Sequence, residues 1–176
     1  MPLERIIENS QAIDSDRLRA MYDYWRAKAG RRLGPRRREI LPEEIKTLLP
    51  WIWLADVVDG GADYRFRLGG EEIIRFVGRR LAGGLLSAHD HAPFFQNMRA
   101  RFDACVRARG PLLVGPMRSA HQPRDYMNLT VLLLPSSENG ADVTMLFGAV
   151  EIAPAFAPAF AADESESLSS PSLLPT

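Results

Sequence analysis

The sequence predicts an α+β domain: one five-stranded antiparallel sheet with helices on one face, preceded by an amphipathic N-terminal helix. Three observations carry this reading. Residues 49–84 read as strand, tight turn, strand and short helix. Three more strand-like runs follow later, and Asn139-Gly140, among the strongest short-range hairpin signals, joins the last two. Between the two groups lies a stretch with helical apolar spacing, and strands joined by short turns pair antiparallel. At 176 residues, 46% hydrophobic and 25% charged, the chain fits one ordinary globular domain with extensions.

Residues 1–13 show little pattern beyond Leu3, Ile6 and Ile7. Asp14 or Ser15 can cap a helix. Leu18, Met21, Tyr22, Trp25 and Ala29 then recur at helical spacing until Gly30 supplies a stop. Two readings of this aromatic stripe stay open. It covers the core of its own subunit, or Leu18, Met21, Tyr22 and Trp25 form a dimer contact, since a terminal helix can pack on a copy of itself. A basic linker follows, with Arg31, Arg32, Arg36, Arg37 and Arg38 around Gly34 and Pro35. Such a cluster could grip phosphates. Glu39, Glu43 and Glu44 offset it, no aromatic residue interleaves it, and the formal net charge is zero, so a solvated connector is the better reading and nucleic acid an unfavoured partner.

Residues 41–50 read as a short helix with Pro42 in its first turn, Glu43 and Glu44 at its positive end and Pro50 at its stop. Residues 51–58 form a strand rich in β-branched and aromatic side chains, with Trp51 and Trp53 on one face. Asp59, Gly60, Gly61 and Ala62 make the turn. Residues 64–68 alternate, Tyr64, Phe66 and Leu68 on one side and Arg65 and Arg67 on the other, as a half-buried strand does. A short helix with Ile73, Ile74 and Val77 inward ends at Gly78. Residues 85–92 form a loop holding Ser87, His89, Asp90 and His91. A helix over 93–107 buries Phe95, Met98, Phe102, Cys105 and Val106, while Gln96, Arg99, Asp103 and Arg107 look outward. Strands are expected over 112–117, with an edge or bulge at Gly115-Pro116, over 126–134, ended by Pro135, and over 143–152. Beyond them the composition turns to Ala, Pro, Ser and acidic residues. The organisation is then an N-terminal helix and basic linker (1–40), a domain (41–152) and a flexible acidic tail (153–176) in which Phe156 and Phe160 could dock.

Most catalytic chemistry lacks its residues here. Cys105 is the one cysteine, so no internal disulfide forms, and its place on an apolar stripe marks an inert thiol. His89 and His91 could begin a metal site, but a closed site needs more ligands than are spaced nearby. Ser87, His89 and Asp90 have no nucleophile elbow or oxyanion hole to work with. Phosphate-loop and dinucleotide fingerprints are absent. No catalytic or metal residue is assigned, and a non-enzyme is expected. The start lacks a signal-peptide pattern, and no apolar run approaches the roughly 18 residues of a membrane span, so a cytoplasmic protein with no membrane partner is expected.

The ordered set of motifs resembles the PAS domain family, in particular its compact, near-stand-alone bacterial members of alphaproteobacterial type. The matching pieces are the helix ending in Trp25, the approach from Gly34 to Pro42, Leu48-Leu49-Pro50 and the strand from Tyr64 to Gly70. Phe76-Val77-Gly78, Leu81-Ala82-Gly83 and Leu133-Leu134-Pro135 before the glycine hairpin complete the set. They span residues 18–152. Gly69-Gly70 and Ser136 depart from the usual pattern. The resemblance implies a central strand order 2-1-5-4-3 and a pocket between the concave sheet face and the helices. It also implies sensing of a small molecule or cofactor, or dimerisation and contacts with kinases and other regulators.

On that frame Trp53, Tyr64, Phe66 and Leu68 face Phe95, Met98 and Phe102 across the pocket. Along 126–134 either Met127, Leu129 and Val131 or Tyr126, Asn128 and Thr130 point inward; the latter three would be its polar groups. A filled core and a ligand cavity both remain open. Haem needs a proximal histidine, yet His89, His91 and His121 all fall in loops. Flavin photochemistry needs a reactive loop cysteine, unlike Cys105. Neither cofactor is supported. The expected function is a stand-alone regulatory or sensory protein that binds a small hydrophobic ligand, a signalling protein or both, and signals through protein–protein contacts as a homodimer. The alternatives are a ligand-free dimerisation or interaction module and a nucleic-acid binder using residues 31–38.

Overall fold

Among the described residues, six antiparallel strands and three α-helices make up the fold. The computed structural model describes residues 4–122 and 124–155; the expected tail and its Phe156 and Phe160 lie outside the described residues. The strands are β1 (Glu4–Ile6), β2 (Ile52–Val58), β3 (Asp63–Gly69), β4 (Leu112–Arg118), β5 (Met127–Ser136) and β6 (Met145–Pro154); the helices are α1 (Asp16–Ala29), α2 (Glu71–Val77) and α3 (Pro93–Ala108). Strand order across the sheet is β1-β4-β5-β6-β2-β3. The expected count of five is therefore corrected to six, because β1 pairs with β4, Glu4 opposite Val114 and Ile6 opposite Leu112. Read from the β3 edge, the other five strands follow the expected order 2-1-5-4-3, and β1 extends it at the far edge. Three exposed residues carry no periodicity, so nothing local announces this strand.

Helices cover both faces of the sheet, a second correction. On one face α2 and α3 close a core with Trp53, Phe66, Leu133, Leu146 and Val150. On the other, Leu18, Met21, Tyr22, Trp25 and Ala29 of α1 pack on Ile52, Leu54, Leu132, Leu134 and Phe147. Strands alternate side chains between faces, so a central strand buried twice is apolar throughout, as Leu132, Leu133 and Leu134 are. Ser15 caps α1, its Oγ accepting from the Leu18 N–H at 3.3 Å, and Gly30 ends it at φ +59°.

Local chemistry sets the connections. Asp59, Gly60 and Gly61 turn between β2 and β3 at positive φ, a conformation glycine adopts without steric cost. In the β5–β6 hairpin, Asn139 Oδ1 accepts from the Ala141 and Asp142 N–H groups, both at 2.9 Å. Pairing in that hairpin runs through Pro135, opposite Leu146, and reaches Ser136. The expected stop at Pro135 is thus corrected. Proline offers no N–H, and its carbonyl turns to α1, where the Trp25 indole N–H donates to it at 2.7 Å. In β4 the register shifts between Val114 and Met117, a bulge at Gly115-Pro116.

Residues 41–50 form no α-helix. They are tight turns at Pro42–Glu44 and Leu49–Trp51, so β2 begins at Ile52. The turn rotates Trp51 away from Trp53: the Arg17 guanidinium lies 3.7 Å above the Trp51 ring, while Trp53 stacks on Phe102 in the opposite core.

Candidate ligand cavity

A cavity of about 90 Å³ lies between the sheet and α2–α3. Its floor is Trp53, Phe66 and Leu68 on one side and Leu129, Val131, Leu133, Val150 and Ile152 on the other. Ile73, Phe76, Met98 and Phe102 form the helical wall. Phe102 organises it: ring centroids lie 5.0 Å from Trp53 in a stack and 5.0 Å from Tyr64 edge-on, the offset and T-shaped arrangements that aromatic quadrupoles favour. Near the rim Phe94 packs against Phe76 and His121, with centroids 6.0 and 5.1 Å away.

Trp53, Phe66, Leu68, Met98 and Phe102 line this cavity. Tyr64 and Phe95 are buried behind it; the Tyr64 hydroxyl donates to Asp103 at 2.6 Å, and Phe95 packs on His89. Of the two faces open on β5, the one with Leu129 and Val131 looks inward. Tyr126, Asn128 and Thr130 are corrected: none lines the cavity. Tyr126 precedes the strand and is 47% exposed. The period of two that turns Leu129 and Val131 inward turns Asn128 and Thr130 away, and Thr130 lies in a shallow cleft beside Ser15, Arg17 and Glu151. Leu18, Met21, Tyr22 and Trp25 are at most 2% exposed against their own sheet. The stripe faces inward in this subunit, and a dimer contact needs other residues.

The charged groups at the cavity are Arg79 and Arg101. Sequence reading missed both, although one signal was present. Arg101 lies three residues after Met98 and four before Cys105, on the buried stripe of α3.

Asp63 organises a separate polar cluster. It accepts from the Ser87 hydroxyl, from the Tyr64 N–H at 2.8 Å and from Arg99 at 3.1 Å. Burial raises its pKa, but these hydrogen bonds outweigh that and hold the carboxyl below the ordinary carboxylate value. Arg99 also pairs with Asp90 at 3.3 Å. Ser87, Asp90 and Arg99 thus fasten the turn Leu86–His89 and α3 to β3. Burial first, then the neighbouring Arg79 charge, lowers the His89 pKa. Cys105 is fully buried and desolvation pushes its thiol up to about 12. Among the described residues no group of three or more His, Cys, Asp or Glu could hold a metal.

The basic linker is partly neutralised from within. Arg32 pairs with Glu39 at 2.9 Å, and the Arg36 N–H donates to the same carboxylate at 2.7 Å. These two contacts, the Arg32 bond foremost, hold Glu39 at about 2.

An open antiparallel sheet, helices on both faces and a small apolar cavity under two of them define a helix-walled α+β pocket fold. Residues 13–151 match the family model described as PAS domain, and the chain belongs to the PAS domain family. Neither curated proteins nor solved structures give a match.

Proposed function

We propose that this PAS domain is a non-enzymatic sensory or regulatory module. A small apolar molecule in the cavity sets its state, and other proteins read that state through altered contacts. The observation that carries the reading is the cavity itself, about 90 Å³ and walled almost wholly by apolar side chains. Close-packed interiors leave few voids larger than a water molecule, whose share of liquid volume is about 30 Å³. Leu68, Phe94, Met98 and Met117 line it while partly exposed, giving an entry. A ligand acts only by binding two states differently. Here α2, whose Ile73, Ile74, Phe76 and Val77 line the cavity, is the short element placed to respond. A cytoplasmic setting fits this role, and no helix among the described residues is long and apolar enough to cross a membrane.

The test is native mass spectrometry of the purified protein together with a thermal-shift panel of small apolar molecules. A retained species, or a midpoint raised by several degrees at a concentration about 100-fold above Kd, is expected. No retained species and no shift would overturn the sensor. The second reading, a ligand-free interaction module, draws support from the cavity's size, which lies below the roughly 300 Å³ where ligand sites usually begin.

A further inference from the structure

We infer that the cavity takes a small monocarboxylate, its apolar body against Phe102 and Val131 and its carboxylate on the Arg101 guanidinium. The inference rests on the sensory reading above. Arg101 is half-buried in a wall that is otherwise almost entirely apolar. Among the described residues it makes no hydrogen bond or ion pair. Its neighbour on the same helix shows what a satisfied arginine looks like here: Arg99 is held by Asp63 and Asp90 at 3.1 and 3.3 Å. The acid that acts on Arg101 is Glu4 of β1, at longer range than an ion pair, and burial outweighs it to lower the arginine's pKa. The other cation at the rim, Arg79, is exposed and already engaged, with Nη2 3.0 Å from His89 Nδ1 and its guanidinium 5.5 Å from the Phe95 ring.

A desolvated charge without a partner is costly, and a ligand anion removes that cost. A neutral ligand leaves it in place, so the cavity discriminates by charge. One free guanidinium matches one carboxylate, which it can grip with two parallel N–H bonds; a phosphate dianion would leave charge uncompensated. A volume of about 90 Å³ limits the apolar body to a short chain of about three carbons.

The test titrates the full chain with butyrate and with butanol by calorimetry, in the wild type, Arg101→Met and Arg79→Met. Methionine keeps an unbranched apolar stem on the helix. Butyrate is expected to bind wild type at least about tenfold more tightly than butanol, as charge-assisted hydrogen bonds imply. Arg101→Met should abolish or reverse that preference while butanol still binds, and Arg79→Met should leave it intact. If Arg101→Met does not fold by circular dichroism, Arg101→Gln carries the same expectation. Equal binding of the two probes to wild type, or an unchanged preference in the Arg101 variant, overturns the carboxylate anchor and leaves the apolar pocket standing. Loss of the preference in Arg79→Met also overturns it. Binding of neither probe to wild type or variant removes both the anchor and the pocket.

Discussion

Trp25 tests whether α1 belongs to its own subunit. The side chain is 1% exposed, and its indole N–H donates to the Pro135 carbonyl at 2.7 Å. Its ring sits 5.9 Å from that of Tyr22. Trp25→Ala deletes a fully buried ring from a close-packed core, which costs about 3–5 kcal/mol. A domain of this size is stable by only about 5–15 kcal/mol, so the loss is a third or more of the whole in most of that range. Trp25→Phe keeps most of the packing but leaves a buried carbonyl without its donor, about 1–3 kcal/mol. Urea unfolding at two protein concentrations a hundredfold apart, alongside sedimentation, measures both variants. Because every contact lies within the subunit, the losses should not depend on concentration. If Trp25→Ala costs under about 1 kcal/mol while it dissociates a dimer, α1 packs on a partner rather than on β5 and β6. If Trp25→Phe is neutral, the bond to Pro135 is not made.

Other perturbations read other parts of the structure. Burial, then the bond to Asp103, pushes the Tyr64 hydroxyl above its ordinary range. Its contribution is complete below the unfolded value near pH 10 and falls as pH rises beyond it, so the urea midpoint should drop there and Tyr64→Phe should flatten the drop. At pH 7 the same variant should cost about 1 kcal/mol by loss of the hydrogen bond to Asp103. Asp63 has the opposite sign. Its lowered folded pKa stabilises the protein above the unfolded value near 4 and is lost as pH falls through the folded one. Asp63→Asn should therefore cost more in urea unfolding at pH 7 than at pH 3, and an equal cost at both would refute the cluster as its source. Cys105, held as a thiol, should resist a thiol-specific reagent at pH 8 in the native state and react within minutes in urea.

The elements legible in the sequence are those whose signals are local. Period-two alternation placed β3, the helical stripes placed α1 and α3, and Asn139-Gly140 placed the β5–β6 turn. Features that depend on a distant partner were not legible. The pairing of β1 with β4 rests on neighbours about a hundred residues away. Both cores share β5, so its run of leucines does not say which face each residue takes, and the sequence left Leu129 and Val131 or Asn128 and Thr130 open as the inward set. Five of the expected pocket residues do line the cavity: alternation fixes Phe66 and Leu68 on β3, helical spacing fixes Met98 and Phe102 on α3, and Trp53 joins them from β2. Arg101 escaped notice because a charge on an apolar stripe reads locally as an interruption, and only the surrounding wall shows what it interrupts.

The doubly buried strand β5 has a mechanical consequence. Leu133 touches the cavity, and Leu132 and Leu134 touch α1. The partition between the two compartments is one backbone thick. A ligand that displaces Leu133 by a fraction of an ångström would move the same peptide units whose other side chains seat α1, and the Pro135 carbonyl that holds Trp25 lies two residues on. Occupancy of the cavity and the seating of the N-terminal helix would then report on each other, with no hinge or linker between them.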